Sequence, residues 1–329
     1  MRTAIIAFTA QGGTLGRHIA DGLGHATLHV PARLSQALGE APYPSLSQWV
    51  AEQWAQVDSL VFIGATGIAV RAIAAHVNDK FCDPCVIVLD ERGQFVISLL
   101  SGHVGGGNAL TQTIANLTGG QAVISTATDV NGKLSIDVWA KEHGLHIGSR
   151  EMAKTVSATL LDGKAVGFAS DCGYPCPKGL TDQILDLGVW VSANPDASPF
   201  GKTLPLIPKT LTLGIGCRRG TSQEAIETAV GNAMGTYAFE AVYQVASIDL
   251  KQDEAGLLAF CQTHHLPFIT YTAQQLQAVL GDFTPSAFVA SVTGVDNVCE
   301  RSAVLAGGTL IVPKYAHNGV TVAVAQTKE

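Results

Sequence analysis

The chain has 329 residues, 47% of them hydrophobic and only 14% charged, with a formal net charge of −7. That balance supports large buried cores, excludes a disordered chain and argues against a nucleic-acid partner. No apolar run reaches the ~18 residues a membrane helix needs, and Met1-Arg2-Thr3 leads straight into a short strand-like run rather than a secretory signal.

Seven cysteines, an odd number in a long chain, fit a reduced, cytoplasmic protein. The length implies two domains with a third, smaller piece. The expected fold is α/β: two three-layer α/β/α units with largely parallel or mixed sheets, joined by a small middle segment and a Pro-rich linker. The expected boundaries are 1–130 for an amino-terminal domain, 131–208 for the middle segment and linker, and 209–329 for a carboxy-terminal domain.

Residues 4–8 open the chain as a strand. Thr9-Ala10-Gln11-Gly12-Gly13-Thr14-Leu15-Gly16 follows, then a helical spacing of Leu15, Ile19 and Leu23. These glycines only partly match a dinucleotide fingerprint, because none stands at the first position of GxGxxG. A plain βα turn is the better reading. Residues 27–30 and 60–63 read as strands, with Pro31, Pro42 and Pro44 marking an irregular connection between them. Leu46, Trp49, Val50, Trp54 and Val57 share one helical face, which places both tryptophans in the core. Residues 86–89 and 95–100 are joined by Asp90-Glu91-Arg92-Gly93, a hairpin-like connection, so the sheet need not be wholly parallel. Cys82-Asp83-Pro84-Cys85 has redox spacing but runs into a strand instead of opening a helix, and reads as a coincidental pair.

The stretch 98–129 carries the chemistry. A buried strand breaks into Ser101-Gly102-His103-Val104-Gly105-Gly106-Gly107-Asn108, and a helix with Leu110, Ile114 and Leu117 on one face follows. A second short strand, 122–124, ends in Ser125-Thr126-Ala127-Thr128-Asp129. Two strand ends therefore each meet a polar, small-residue loop, the place where open α/β sheets bind ligands. Four glycines and a histidine exceed what a turn needs.

Beyond Asp129 the texture changes. Helical spacing appears at Ile136, Trp139 and Ala140 and again over 154–160, a short strand over 165–169, and a Pro/Gly/Cys loop over 171–179. Cys172 and Cys176 in that loop lack the further ligands of a closed zinc site. Pro195, Pro199, Pro205 and Pro208 make 192–208 the linker candidate. A second α/β unit opens with strand 211–215, the loop Gly216-Cys217-Arg218-Arg219-Gly220 and the capping pattern Thr221-Ser222-Gln223-Glu224. Strands at 241–247, 268–270, 309–312 and 320–325 follow, with helices over 257–264, from Thr272, and through 300–305 behind a candidate Asp296 cap.

Taken together, LLSGHVGGGN, STATDVNG and the spaced Asp137 resemble the amino-terminal and middle parts of the cobalt-precorrin-5A hydrolase family of anaerobic cobalamin (vitamin B12) biosynthesis. LGIGCRRGTSQEAI, then CERSAVLAGG and LIVPK, resemble its carboxy-terminal domain. The resemblance covers nearly the whole chain. It implies hydrolytic opening of the δ-lactone of cobalt-precorrin-5A, with loss of the meso carbon and its methyl as acetaldehyde. No cofactor is implied, because the substrate carries the cobalt, and no metal site is expected in the protein. The implied partners are cobalt-precorrin-5A and, transiently, neighbouring pathway methyltransferases.

That chemistry needs oxyanion donors, a base and carboxylate contacts. Backbone N–H groups of Gly105, Gly106, Gly107 and Asn108 are the candidate oxyanion donors at a helix start. His103 is the candidate base, with Asp129 as an alternative that could equally cap the next turn. Ser101, Thr126 and Thr128 are further substrate contacts; Ser101 lacks the GxSxG elbow of a nucleophile. Glu300, beside Arg301, reads as a solvated pair or as a reserve acid/base. Arg218 and Arg219, ahead of a capped helix, are the best contacts for substrate carboxylates, with Arg71 and Lys314 weaker. A cleft between the two α/β units would suit a disc-shaped substrate. Two rival readings are S-adenosylmethionine-dependent methyl transfer, for which the Gly12–Gly16 turn is a poor cofactor loop, and a non-catalytic corrinoid carrier.

Overall fold

The structure is a computed structural model and describes residues 1–79, 82–103 and 105–327. Two compact units, Met1–Trp139 and Ala140–Glu329, make up the chain. The first contains β1 (Thr3–Ala7), α1 (Ala10–Leu23), β2 (Ala26–Pro31), α2 (Ala32–Leu38), β3 (Ala41–Tyr43), α3 (Leu46–Trp54) and β4 (Ser59–Ile63). It continues with α4 (Thr66–Ile73), β5 (Cys85–Leu89), β6 (Phe95–Leu100), α5 (Gly107–Thr118), β7 (Gln121–Val123) and α6 (Ala127–Val130). The unit boundary falls within α7 (Ile136–Glu142).

Seven strands form one sheet in the order β3-β2-β1-β4-β5-β6-β7. All five residues of β1 are buried, because successive side chains serve opposite faces. Ile5 and Ala7 join Ile19 of α1 and Ile114 of α5 in one core, while Ala4 and Ile6 join Trp49 of α3 and Ile73 of α4 in the other. The result is a three-layer α/β/α unit, and Trp49 is core as its helical spacing implies. Residues 41–43, within the proline-marked connection, form the edge strand β3. Proline is tolerated there, since an edge leaves one side of the strand unpaired.

The direction of the strands matters most for the site. β2, β1, β4 and β5 run parallel, β6 runs antiparallel to β5, and β7 runs parallel to β6. Asp90 makes the reversal: its carboxylate accepts from the N–H groups of Arg92 (2.8 Å) and Phe95 (2.7 Å), and its carbonyl from Gly93 (2.9 Å). The carboxyl ends of β6 and β7 therefore share one edge of the sheet, opposite to the carboxyl ends of β1, β4 and β5.

The second unit holds two sheets. β8 (His146–Ile147), α8 (Arg150–Leu161), β9 (Gly167–Ser170), β10 (Leu187–Val191) and β11 (Lys202–Ile207) give a four-stranded sheet ordered β8-β11-β10-β9. The linker candidate 192–208 is corrected here, because it contains β11, which pairs with β10 from Lys202 to Leu206. Pro205 lies inside that strand, and its carbonyl accepts from the Gly148 N–H at 2.9 Å. Proline loses its donor but keeps its acceptor, so proline-rich sequence need not interrupt a sheet.

The remainder comprises β12 (Leu211–Cys217), α9 (Gln223–Met234), β13 (Val242–Ile248), α10 (Ala255–Thr263), β14 (Phe268–Tyr271), α11 (Ala273–Gln277), α12 (Ala287–Thr293), α13 (Cys299–Gly307), β15 (Thr309–His317) and β16 (Val320–Gln326). The strands order as β14-β13-β12-β16-β15. Leu213 and Ile215 of β12 face a core shared with Ile226 and Val230 of α9 and Phe260 of α10. On the other face α13 packs through small residues, Ala303 against Ala323 and Ala325. Gly214 permits this approach, since a Cβ there would lie 1.8 Å from the Cys299 carbonyl oxygen. Among the described residues, no helix is long and apolar enough to cross a membrane.

Two outcomes follow from the packing. Gly214→Ala is expected to destabilise the protein by about 1–3 kcal/mol, the usual cost of overpacking, read as a lower urea midpoint with an unchanged slope. On β2, burial lowers the pKa of His29 below its ordinary value, with the ring edge against Trp49 at 5.8 Å. The unfolded chain then binds the proton first, so stability falls as pH drops below about 6.5. His29→Gln is expected to lose less of its urea midpoint than the wild-type protein between about pH 7.5 and 5.5.

Candidate active site

The loops after β6 and β7 meet around Asn108, in the first turn of α5. Ser98 donates to its Oδ1 at 2.7 Å, and its Nδ2 donates to Thr126 Oγ1 at 3.2 Å and to Asp129 Oδ2 at 2.9 Å. One nearly buried amide thus ties β6, α5 and the segment after β7 together. A side chain at Gly102 would collide with this amide, its Cβ falling 2.4 Å from Asn108 Oδ1.

His103 stands between two carboxylates. Its Nε2 lies 2.5 Å from Asp129 Oδ2 and 2.9 Å from Thr128 Oγ1. On the other side its Nδ1 lies 3.2 Å from Ser135 Oγ, whose hydroxyl donates to Asp137 Oδ1 at 2.5 Å. A hydroxyl whose proton is committed to Asp137 accepts from Nδ1–H, and the opposite edge of the ring, Nε2, faces Asp129 and Thr128. The His103 side chain is 17% exposed and that of Asp129 is 41% exposed, so the carboxylate is the solvent-facing half of the pair. Asp129 Oδ1 has no hydrogen-bond partner among the described residues. The alternative of Asp129 as a helix cap fails, because its carboxylate accepts from no backbone N–H among the described residues and turns its Oδ2 to His103 and Asn108.

The loop glycines do not offer the expected row of oxyanion donors. Gly106 N–H donates to the His103 carbonyl (2.8 Å), Gly107 N–H to the Ser101 carbonyl (3.3 Å) and Asn108 N–H to the Gly102 carbonyl (2.8 Å). The loop thereby satisfies its own backbone, as a partly buried segment must; Gly105 is half-buried in the same turn. Ser101 is displaced from its expected role too. Its φ of 52° puts it in the left-handed region, and its Oγ is buried without a partner among the described residues, so the hydroxyl is shut away from solvent. Sequence reasoning named His103, Asn108, Thr126, Thr128 and Asp129 but missed Ser98, Ser135 and Asp137 as neighbours. The Ser-x-Asp spacing after the Asn131-Gly132 turn was the available signal.

In the second unit, Glu300 is neither a solvated partner of Arg301 nor placed to move protons. It is 1% exposed and accepts from Thr284 N (2.7 Å), Thr284 Oγ1 (3.0 Å), Asn297 Nδ2 (2.6 Å) and Lys314 N (2.7 Å). Four donors saturate the carboxylate and pin two loops to β15. Arg301 pairs instead with Asp296 at 2.9 Å, so Asp296 does not cap α13; Val298 holds that position. Arg219 is also engaged, with Asp253 at 2.6 Å and the Leu250 carbonyl at 2.9 Å. Arg218 and Lys314 have no acidic partner among the described residues and line one cavity together. Arg71 is exposed on α4. Burial and the adjacent Asp171 push the Cys172 thiol up to about 12. Among the described residues, no cluster of three or more His, Cys, Asp or Glu could hold a metal ion.

Three family descriptions match consecutive parts of the chain: cobalamin synthesis G N-terminal over residues 48–129, cobalamin biosynthesis central region over 134–208 and cobalamin synthesis G C-terminus over 211–325. The cobalt-precorrin-5A hydrolase of Salmonella typhimurium is 37% identical over 285 residues, covering 80% of each chain. That of Priestia megaterium is 32% identical over 292 residues, covering 81% of this chain and 78% of the relative. The crystal structure of a cobalamin biosynthesis protein G homolog from Sulfolobus solfataricus aligns at 20% identity and a TM-score of 0.42, covering 100% of this chain and 97% of that one. With amino-terminal, central and carboxy-terminal regions all matched in order, the chain belongs to the cobalt-precorrin-5A hydrolase family.

Proposed function

We propose that the protein is a cobalt-precorrin-5A hydrolase, opening the δ-lactone of its substrate with water and releasing acetaldehyde to give cobalt-precorrin-5B. The observation that carries the reading is the His103–Asp129 pair, clasped on its far side by Ser135 and Asp137, with the Asp129 side chain partly open to solvent and its Oδ1 without a hydrogen-bond partner among the described residues. The named relatives support the same substrate. On this reading the protein is a hydrolase acting in the end on a carbon–carbon bond, and cobalt enters with the substrate, so no resident cofactor is needed.

Two proton transfers are required. Water adds to the lactone carbonyl as one of its protons passes to the Asp129–His103 pair, and the acyl C–O bond breaks to leave a hydroxyethyl group and a carboxylic acid, which ionises to a carboxylate by releasing water's second proton to solvent. The pair returns its proton to the departing alkoxide. It then takes the hydroxyl proton, the bond from the carbinol carbon to the ring breaks, and its electron pair enters the conjugated macrocycle while acetaldehyde leaves. A single pair that accepts and returns one proton serves both steps. Asp129 is the half that reaches solvent, while His103 shares the proton and is held in one orientation by Ser135.

Anaerobic mixing with the lactone substrate is expected to give one acetaldehyde per substrate consumed. Tight binding without acetaldehyde would favour the carrier. His103→Ala and Asp129→Asn are each expected to lower kcat by about 10²–10⁴-fold with little change in KM. An equal loss in affinity would make either residue a binding group. Ser135→Ala is expected to cost about 10–100-fold in kcat, as loss of an orienting hydrogen bond does, with Ser135→Thr restoring most of it. Failure of that rescue, or an unchanged kcat in Ser135→Ala, would remove Ser135 from the positioning role.

A further inference from the structure

The second unit contains a cavity of about 680 Å³ that the chemistry above does not use. Its floor is the end of β12 (Gly216, Cys217) and the start of α13 (Val298, Cys299), and its mouth is bordered by α12. There Phe288 is 72% and Val292 62% exposed, with Leu250 48% exposed on the 250–251 segment. Exposed large apolar side chains around a concave site mark a ligand surface rather than a core. The cations are unevenly committed: Lys251 is tied to Glu254 at 3.2 Å, whereas Arg218 and Lys314 carry no acidic partner among the described residues. Asp296, the acid on the wall, is neutralised by Arg301.

The cavity thus joins an apolar rim to two positive charges with no acidic partner among the described residues. Lys314 is also held in place, since its backbone N–H is fixed by the buried Glu300, which holds Asn297 of the wall as well. A purely apolar peptide would leave the cations unused, and a small polar anion would leave Phe288 and Val292 in water. A flat apolar ring bearing carboxylates at its edge satisfies both.

Resting on the corrinoid reading of the function, we propose that this cavity binds the edge of a polycarboxylated corrin-type macrocycle. Phe288, Val289 and Val292 cover the ring, and Arg218 and Lys314 pair with peripheral carboxylates. The cavity is built wholly from residues of the second unit and contains none of the proton-handling groups around His103. It is a holding site, and its affinity does not depend on His103.

The test uses the full chain and two stable cobalt corrins, cobyrinic acid with free carboxylates and cobinamide with those carboxylates amidated, followed by equilibrium dialysis and corrin absorbance. Cobyrinic acid is expected to bind at least about tenfold tighter than cobinamide, and Arg218→Ala and Lys314→Ala each to weaken it by about tenfold, the loss of one charge-assisted contact. Phe288→Asp is expected to weaken both corrins, while His103→Ala leaves both affinities unchanged. Thermal melts matching the wild type certify that each variant is folded. Equal affinity for the two corrins, unchanged affinity in both cation variants, or no binding to the wild type would overturn the proposal. Acetaldehyde release separates this from the functional reading: release with no corrin binding rejects the cavity alone, and binding with no release rejects the hydrolase alone.

Discussion

Strand β6 runs against β5 and alongside β7, and the candidate site exists because of that pairing. Had the sheet continued in parallel, the loop bearing His103 would emerge at the edge where β1, β4 and β5 end. The Asp90 turn reverses the chain because its two carboxylate oxygens accept from local N–H groups. After it, two successive carboxyl ends open on the same edge, separated by one helix. Asn108 then acts as the fastener: it uses both ends of its amide, as a nearly buried amide must. The position of Asp129 relative to His103 is a consequence of strand direction first and of side-chain chemistry second.

Much of this was legible in the residues. The continuous apolar runs of β1 and β4, helical spacing in α3 and α5 and the hairpin-like Asp90–Gly93 link all appear as composition, periodicity or turn chemistry, because local forces decide them. The four-stranded sheet was not legible. Its strands are four to six residues long apart from the two-residue β8, and β11 contains a proline, which read as punctuation. Only a neighbouring strand reveals that Pro205 still supplies an acceptor. The site shows the same division. His103 and Asp129 stood out by residue type and loop context, but Ser135 became a partner only once α6 and the following turn had folded back toward β6.

Glycine enrichment misled in an instructive way. A run of glycines at a helix start suggests free N–H groups waiting for an anion. Here the loop folds so tightly that Gly106, Gly107 and Asn108 spend their N–H groups on carbonyls three to six residues back. The small side chains serve compactness, and compactness is what holds a histidine rigidly between two acids. Ser101 shows the cost: a non-glycine residue in the left-handed region, with its hydroxyl sealed in.

Net charge conceals a similar local arrangement. A chain at −7 is a poor general attractor for a polycarboxylate. The second unit nevertheless neutralises its acids near the cavity one by one, Asp253 with Arg219, Glu254 with Lys251 and Asp296 with Arg301. Glu300 is answered differently, by four hydrogen-bond donors and no direct cation. Of the cations lining the cavity, Arg218 and Lys314 have no acidic partner among the described residues. Attraction falls off within about 10 Å at 0.1 M salt, so a ligand at the cavity responds to those two charges more than to the chain's total. In the first unit two acids, Asp129 and Asp137, stand beside His103, where negative charge is useful for taking a proton and harmful for holding a carboxylate. Proton transfer and carboxylate recognition ask for opposite local potentials, and the proposed sites for the two lie in separate units.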